Sequence, residues 1–178
     1  MRILVIESSP HKNGSSNLLA ENFMRGVKEA GHLVTVFDAA YANLHPCLGC
    51  DACGMSGSCC QNDDMADLKK QILQSDMVVF VTPLYYFGMS TQLKTVIDRF
   101  YSFNGELSTR GLKTVLIVAA WDSRDWIMQD ISSHYKTLCR YLNFKDQGMI
   151  LGFGCGTVSM TKRSIYPQKA YELGKSIR

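Results

Sequence analysis

No apolar run in this 178-residue sequence is long enough to cross a bilayer. The longest, Val115–Trp121, falls far short of the ~18 residues a spanning helix needs. The stretch Ile3–Ile6 stops at Glu7, so the start does not read as a secretory signal. Blocks of like charge are absent too. Nineteen Lys and Arg against sixteen Asp and Glu leave a net +3, which suits a small anionic ligand and is too weak to argue for nucleic acid. There are no internal repeats and no linker, and the length lies near the ~150-residue norm for one domain. The expectation is a single soluble, cytoplasmic domain over residues 1–178, with neither a membrane nor a nucleic acid as partner. At 46% hydrophobic and 20% charged residues, the chain has the apolar mass for a core and is not disordered.

Several catalytic signatures are missing as well. The sequence has no G-x-x-x-x-G-K-[ST] and no G-x-G-x-x-G, which disfavours a nucleoside triphosphatase and a Rossmann dinucleotide site. The first loop contains no cysteine nucleophile followed by an arginine, so a phosphocysteine phosphatase is disfavoured. No His–carboxylate or Ser–His pair stands out, and no general acid or base is assigned.

What is present is an alternation of apolar runs and helical patterns. Ile3–Ile6, Leu33–Phe37, Met77–Val81, Val115–Ala119 and a weaker segment around Met149–Phe153 read as strands. Between and after them, Leu19/Phe23/Val27/Ala30 (ended by Gly31), Met65/Leu68/Ile72 (capped by Asn62 or Asp63), Leu93/Val96/Ile97/Phe100/Tyr101, Ile127/Ile131/Leu138/Leu142 and Tyr166/Ala170/Leu173/Ile177 recur at helical spacing. Continuous rather than alternating apolar strands predict a parallel sheet covered on both faces. Ligands of such sheets sit beyond the C-terminal strand ends. That directs attention to Glu7–Asn17, Thr82–Ser90 and Ala120–Arg124.

The first of these loops, Ser8-Ser9-Pro10-His11-Lys12-Asn13-Gly14-Ser15-Ser16-Asn17, is dense in donors and opens a helix. The positive end of the helix dipole and the free N–H groups there suit a phosphate. The alternative is that Ser and Asn merely cap the helix and form turns. The second loop, Thr82-Pro83-Leu84-Tyr85-Tyr86-Phe87-Gly88-Met89-Ser90, carries three consecutive aromatics that cannot all face inward. At least one is available to stack on a planar ring, with Gly88 letting backbone amides approach it, while Ser90 or Thr91 caps the next helix. Trp121 adds an aromatic at the same edge, or else belongs to the core.

Cysteine is the one over-represented chemistry. Of seven, Cys47, Cys50, Cys53, Cys59 and Cys60 crowd one segment, which points to metal binding or redox chemistry before a disulfide framework. Cys47-x2-Cys50-x2-Cys53-x5-Cys59 suits iron–sulfur ligation. Free or redox-active thiols and structural zinc are the open alternatives, and Cys60 either replaces Cys59 or is a bystander. Cys139 and Cys155 read as packing residues.

Taken together, S-P-x-K-x-G-x-S from Ser9, T-P-L-Y-Y-F-G-M-S-x-Q-L-K from Thr82 and I-D-R-F from Ile97 resemble the NADPH-dependent FMN reductases, particularly their iron–sulfur flavoprotein branch. The resemblance covers Met1 to about Tyr101 and is looser beyond. It implies a flavodoxin-like three-layer α/β sandwich with a five-stranded parallel sheet of order 2-1-3-4-5. It implies FMN, with phosphate held at Ser9, His11, Ser15, Ser16 and Asn17, and a ring lying against Pro83, Leu84, Tyr85, Tyr86, Phe87 and Gly88, with Trp121 nearby. His11 departs from the arginine that many relatives carry, and a histidine there would make phosphate attraction depend on pH. NAD(P)H is the implied electron donor, a small molecule such as a flavin or quinone the acceptor, and a homodimer or higher homo-oligomer the implied assembly. On the same resemblance Cys47, Cys50, Cys53 and Cys59 would hold a [4Fe-4S] cluster, although the same run occurs in relatives with FMN alone. A flavodoxin-type electron carrier is the rival reading, disfavoured because flavodoxins proper are strongly acidic. A thiol- or metal-based sensor is another.

Overall fold

The computed structural model describes residues 1–178. Five strands, β1 (Arg2–Glu7), β2 (Leu33–Asp38), β3 (Met77–Pro83), β4 (Lys113–Ala119) and β5 (Lys145–Gly152), form one parallel sheet in the order β2-β1-β3-β4-β5. The helices are α1 (Ser15–Glu29), α2 (Met65–Gln74), α3 (Thr91–Asp98), α4 (Asn104–Thr109), α5 (Gln129–Tyr141), α6 (Val158–Arg163) and α7 (Tyr166–Ser176).

Each inner strand serves two cores because successive side chains point to opposite faces. Leu4, Ile6, Val78, Phe80, Leu116 and Val118 meet α2 to α5 on one side. Ile3, Val5, Val79, Val81, Val115 and Ile117 meet α1 and α7 on the other, through Leu19, Phe23, Val27 and Ala170. Strands β1, β3 and β4 are therefore apolar at nearly every position, whereas the edge strands β2 and β5 are partly exposed. No helix is long and apolar enough to cross a membrane.

The structure departs from the sequence reading in four places. β5 starts at Lys145, earlier than the weak apolar segment suggested, and its pairing with β4 is irregular between Thr114 and Leu116. The helix begun at Leu93 does not run on through Tyr101. It stops at Asp98 and tightens into a 3-10 turn over Arg99–Phe103, followed by α4. The cause is Arg99, 2% exposed, whose guanidinium turns inward to a bidentate pair with Asp63 at 2.7 and 3.0 Å and donates to the His45 carbonyl at 2.8 Å. Asp63 is thus no simple cap. The N-cap position of α2 is Asp64, without a side-chain cap bond, while Asp63 accepts from the Met65 and His45 N–H groups. Burial works to raise the Asp63 carboxyl, but the hydrogen bonds from Arg99, His45 and Met65 hold it below its ordinary value. Finally, α6 occupies a stretch with no helical pattern of its own.

Candidate active-site cleft

Three strand ends converge where β1, β3 and β4 stop. The buried hydroxyls there tie two loops together before any ligand is considered. Ser8 Oγ donates to the Val81 carbonyl at 2.7 Å, Ser90 Oγ lies 2.9 Å from Ser8 Oγ, and the Ser90 N–H donates to Thr82 Oγ1 at 2.9 Å. Ser90 is also the N-cap of α3, accepting from the Leu93 N–H. The first and second loops are therefore fixed relative to each other by groups with no exposure to solvent.

The first loop closes as a tight turn in which the Gly14 N–H donates to the His11 carbonyl at 2.8 Å. A Cβ at Gly14 would stand 2.8 Å from that carbonyl, so only glycine fits without a shift. Gly14 is the N-cap of α1, and no side chain caps the helix; its first turn carries no acidic residue. Of the alternative reading, that Ser and Asn cap the helix and form turns, the cap is absent while Ser9 does form a turn, its Oγ accepting from the His11 N–H at 3.2 Å. The helix start opens into a cleft of about 520 Å³ lined by Ser9, His11, Asn13, Ser15 and Ser16 on one side and Pro83, Leu84, Tyr85 and Trp121 on another. Orphan N–H donors and a positive dipole end face an apolar, partly aromatic wall.

The sequence-predicted residues divide here. Ser9, His11, Ser15, Ser16, Pro83, Leu84, Tyr85 and Trp121 line this cleft. Asn17 does not. It is buried, and its Nδ2 donates to Glu7 Oε2 and to the Lys12 carbonyl, both at 3.1 Å, so it braces the loop from behind. Tyr86, Phe87 and Gly88 lie beyond the cleft. Tyr85 and Gly88 exchange both backbone hydrogen bonds across a two-residue turn in which Tyr86 and Phe87 have φ of +45° and +64°. Such turns favour Asn-Gly, so a Tyr-Phe pair there carries backbone strain. The Gly88 N–H donates to the Tyr85 carbonyl at 3.1 Å within this turn. Tyr86 at the tip is 99% exposed, and Phe87 packs on Trp126 with ring centroids 5.1 Å apart. Leu84, Tyr86, Phe87, Trp121 and Ile127 line a second, smaller apolar cavity of about 230 Å³. Leu84 and Trp121 border both.

Trp121 is 69% exposed, yet it is not loose. Its ring lies on Gly156, where an added Cβ would approach it to 2.4 Å. Gly156 belongs to the loop after β5, and Cys155, Gly156, Thr157 and Val158 form the far wall of the cleft. The sequence reading missed this wall. The signal was available in Gly152-x-Gly154-x-Gly156 directly after a strand, the position where ligands of parallel sheets bind.

The cysteine segment lies apart from this cleft's lining. Cys50 and Cys60 Sγ atoms are 3.4 Å apart, and no three His, Cys, Asp or Glu side chains gather as a metal-holding group. Cys47, Cys50 and Cys60 are exposed, Cys53 and Cys59 half-buried. Cys155, read as a packing residue, is buried and touches the cleft.

A five-stranded parallel sheet of this order with helices on both faces is the flavodoxin-like architecture. Solved structures agree on the fold. An NAD(P)H:quinone oxidoreductase from Methanothermobacter marburgensis superposes with a TM-score of 0.78 at 19% identity, over 98% of this chain and 94% of that one. An FMN-dependent NADH-azoreductase from Bacillus anthracis, in complex with FMN, superposes with a TM-score of 0.71 at 15% identity over 98% and 96%. More specifically, the chain belongs to the NADPH-dependent FMN reductase family, whose model matches residues 1–144. An iron-sulfur flavoprotein of Archaeoglobus fulgidus is 30% identical over 111 residues, 62% of this chain and 50% of that protein. The chain spans about half the length of the iron-sulfur flavoproteins it matches. A Bacillus subtilis protein, provisionally named an NAD(P)H-dependent FMN-containing oxidoreductase, is 25% identical over 165 residues, 86% of each chain.

Proposed function

We propose that this cleft binds FMN and that the protein is an FMN-dependent oxidoreductase, taking hydride from NAD(P)H and passing electrons to a small acceptor such as a flavin or quinone. The observation that carries this reading is the uncapped start of α1 opening into the same cleft as the wall of Pro83, Leu84, Tyr85 and Trp121. A phosphomonoester needs the first, a planar ring the second, and the cleft is large enough for both.

Ser9, Ser15 and Ser16, with the N–H groups at the start of α1, would hold the phosphate, and His11 lines the same side of the cleft. Asn17 would act indirectly by fixing the loop to Glu7. Leu84, Tyr85 and Trp121 would present the apolar surface for the ring and exclude water from one side of it. FMN, when bound, supplies the hydride and electron chemistry, and the protein supplies orientation and electrostatics.

Purified protein incubated with FMN is expected to retain a yellow chromophore through gel filtration and to oxidise NADPH or NADH with a quinone present. Loss of all flavin, or flavin retention without pyridine-nucleotide oxidation, counts against the enzyme reading, and the latter outcome favours an electron carrier.

A second reading rests on the names of the iron-sulfur flavoprotein relatives. Four cysteines would hold a cluster, but the side chains bring only Cys50 and Cys60 into contact, and no step is assigned to one. Iron and sulfide assays on anaerobically purified protein decide it.

A further inference from the structure

The carboxyl on which Asn17 braces the loop is itself ionisable. Glu7 is the last residue of β1, beside Asp38 of β2 and Val81 of β3. Its Oε2 accepts from Asn17, whose amide also holds the Lys12 carbonyl and whose Oδ1 lies 3.4 Å from Ser16 Oγ. A single buried amide thus connects this carboxyl to a loop carbonyl and to a hydroxyl lining the cleft.

No basic side chain bonds to Glu7. The charged groups that act on it are Asp38 from β2 and Glu21 from α1, both acidic, while β3 presents Val81. Lys12, the nearest lysine in sequence, instead has its Nζ over the Tyr41 ring, 4.4 Å from the centroid, and Tyr41 is tied by its hydroxyl to the Pro10 carbonyl. Burial, then the charges of Asp38 and Glu21, push the Glu7 carboxyl up to about 7.

We propose that Glu7 is a proton-linked positioning residue of the phosphate loop, so that an anionic phosphomonoester is taken up together with a proton and held less tightly once Glu7 is ionised. The inference rests on the reading that the cleft takes FMN. A phosphate on the far side of Asn17 adds a negative charge to a carboxyl already flanked by two, and the cost is avoided by protonation. By linkage, any ligand that raises the pKa of Glu7 binds more weakly above it. Neutral Glu7 still accepts the Asn17 hydrogen bond through its carbonyl oxygen, so the brace survives while the repulsion disappears.

The test is the FMN dissociation constant from pH 5.5 to 8.5 for the wild type and Glu7→Gln, with riboflavin as the phosphate-free control. Glutamine keeps the acceptor for Asn17 and removes the charge. FMN's own phosphate titrates identically against both proteins, so the difference between the curves isolates Glu7. The wild type is expected to lose ~10-fold more affinity than Glu7→Gln across this range, since one unit of pKa linkage is a tenfold change, with parallel curves for riboflavin. Parallel FMN curves would overturn the role of Glu7 while leaving the flavin site intact; absence of FMN binding at every pH would instead overturn the flavin reading. Should Glu7→Gln fold poorly, calorimetry of FMN binding to His11→Asn, which removes the imidazole from the cleft, near pH 7.5 in buffers of different ionisation enthalpy gives the remaining proton uptake directly. Uptake beyond that of the phosphate itself supports the proposal, and none refutes it.

Discussion

The loop after β1, proposed to hold a phosphate, and the cysteine loop follow neighbouring strand ends, yet they are built in opposite ways. The loop after β1 is made of common residues, Ser, Asn and Gly, and about half of its polar side chains are tied down: Ser8 on Val81, Ser9 on the His11 N–H, Asn17 on Glu7 and the Lys12 carbonyl. What it leaves unpaired faces the cleft. The cysteine loop is made of rare, reactive residues and is tied down mainly by its ends and one side. Arg99 and Asp63 grip His45 at its base, Gln61 donates to the Pro46 carbonyl, and Tyr101 donates to Asp51. Chemical density in the sequence and preorganisation in the structure fall in different places, and preorganisation is what a ligand rewards.

The largest effect should come from cutting the anchor. Removing one partner of the buried Arg99–Asp63 pair, as in Arg99→Leu, strands a charge and is expected to cost ~3–5 kcal/mol in denaturant unfolding. If the cysteine loop were held by other means, the loss would stay within the ~1 kcal/mol of an ordinary substitution. On the other side of the comparison, Ser16→Asp puts an anion at the open helix start and should weaken FMN binding ~100-fold, or ~2.7 kcal/mol, and because Ser16 is buried the melting temperature should fall as well. Equal binding would mean that the phosphate docks elsewhere.

A third change probes the ring wall. Gly156→Ala drives a methyl into Trp121 and should weaken FMN and riboflavin alike, by ~10-fold, whereas Ser16→Asp should discriminate between them. The smallest effect concerns stability and pH. Because folding raises the Glu7 carboxyl from its ordinary 4.5 to about 7, its contribution to stability is fully present below the lower value and is lost as pH rises through the upper one. The melting temperature of Glu7→Gln relative to wild type should therefore climb between pH 5 and pH 8; a flat difference would show that Glu7 is not desolvated.

These contrasts also explain what was legible in the sequence. β1, β3 and β4 were legible because strands buried on both faces must be apolar at nearly every position, as Met77–Val81 is. The inner wall of the cleft followed, since the sheet's handedness and order place Ser9–Ser16 and Pro83–Tyr85 at one edge. The break of α3 at Arg99 was not legible, because apolar spacing continues through Phe100 and nothing local announces that an arginine will be buried against Asp63, far away in sequence. Asn17 carries the same residue type whether it faces a phosphate or braces a loop, and only its distance to Glu7 separates the two. Three consecutive aromatics announce that at least one is exposed, and Tyr86 is, but the backbone turn between Tyr85 and Gly88 that sets Phe87 against Trp126 has no local signal in a Tyr-Phe pair. The spacing of the cysteines likewise carries no information on where their sulfurs point.

The most direct test is a side-by-side titration of the purified protein with FMN and with riboflavin, following quenching of flavin fluorescence. An uncapped α1 start that holds the phosphate predicts saturable FMN binding, with riboflavin weaker by ~10-fold or more, a gap of ~1.4 kcal/mol or more. Equal affinity for the two flavins, or no quenching by either, would contradict it.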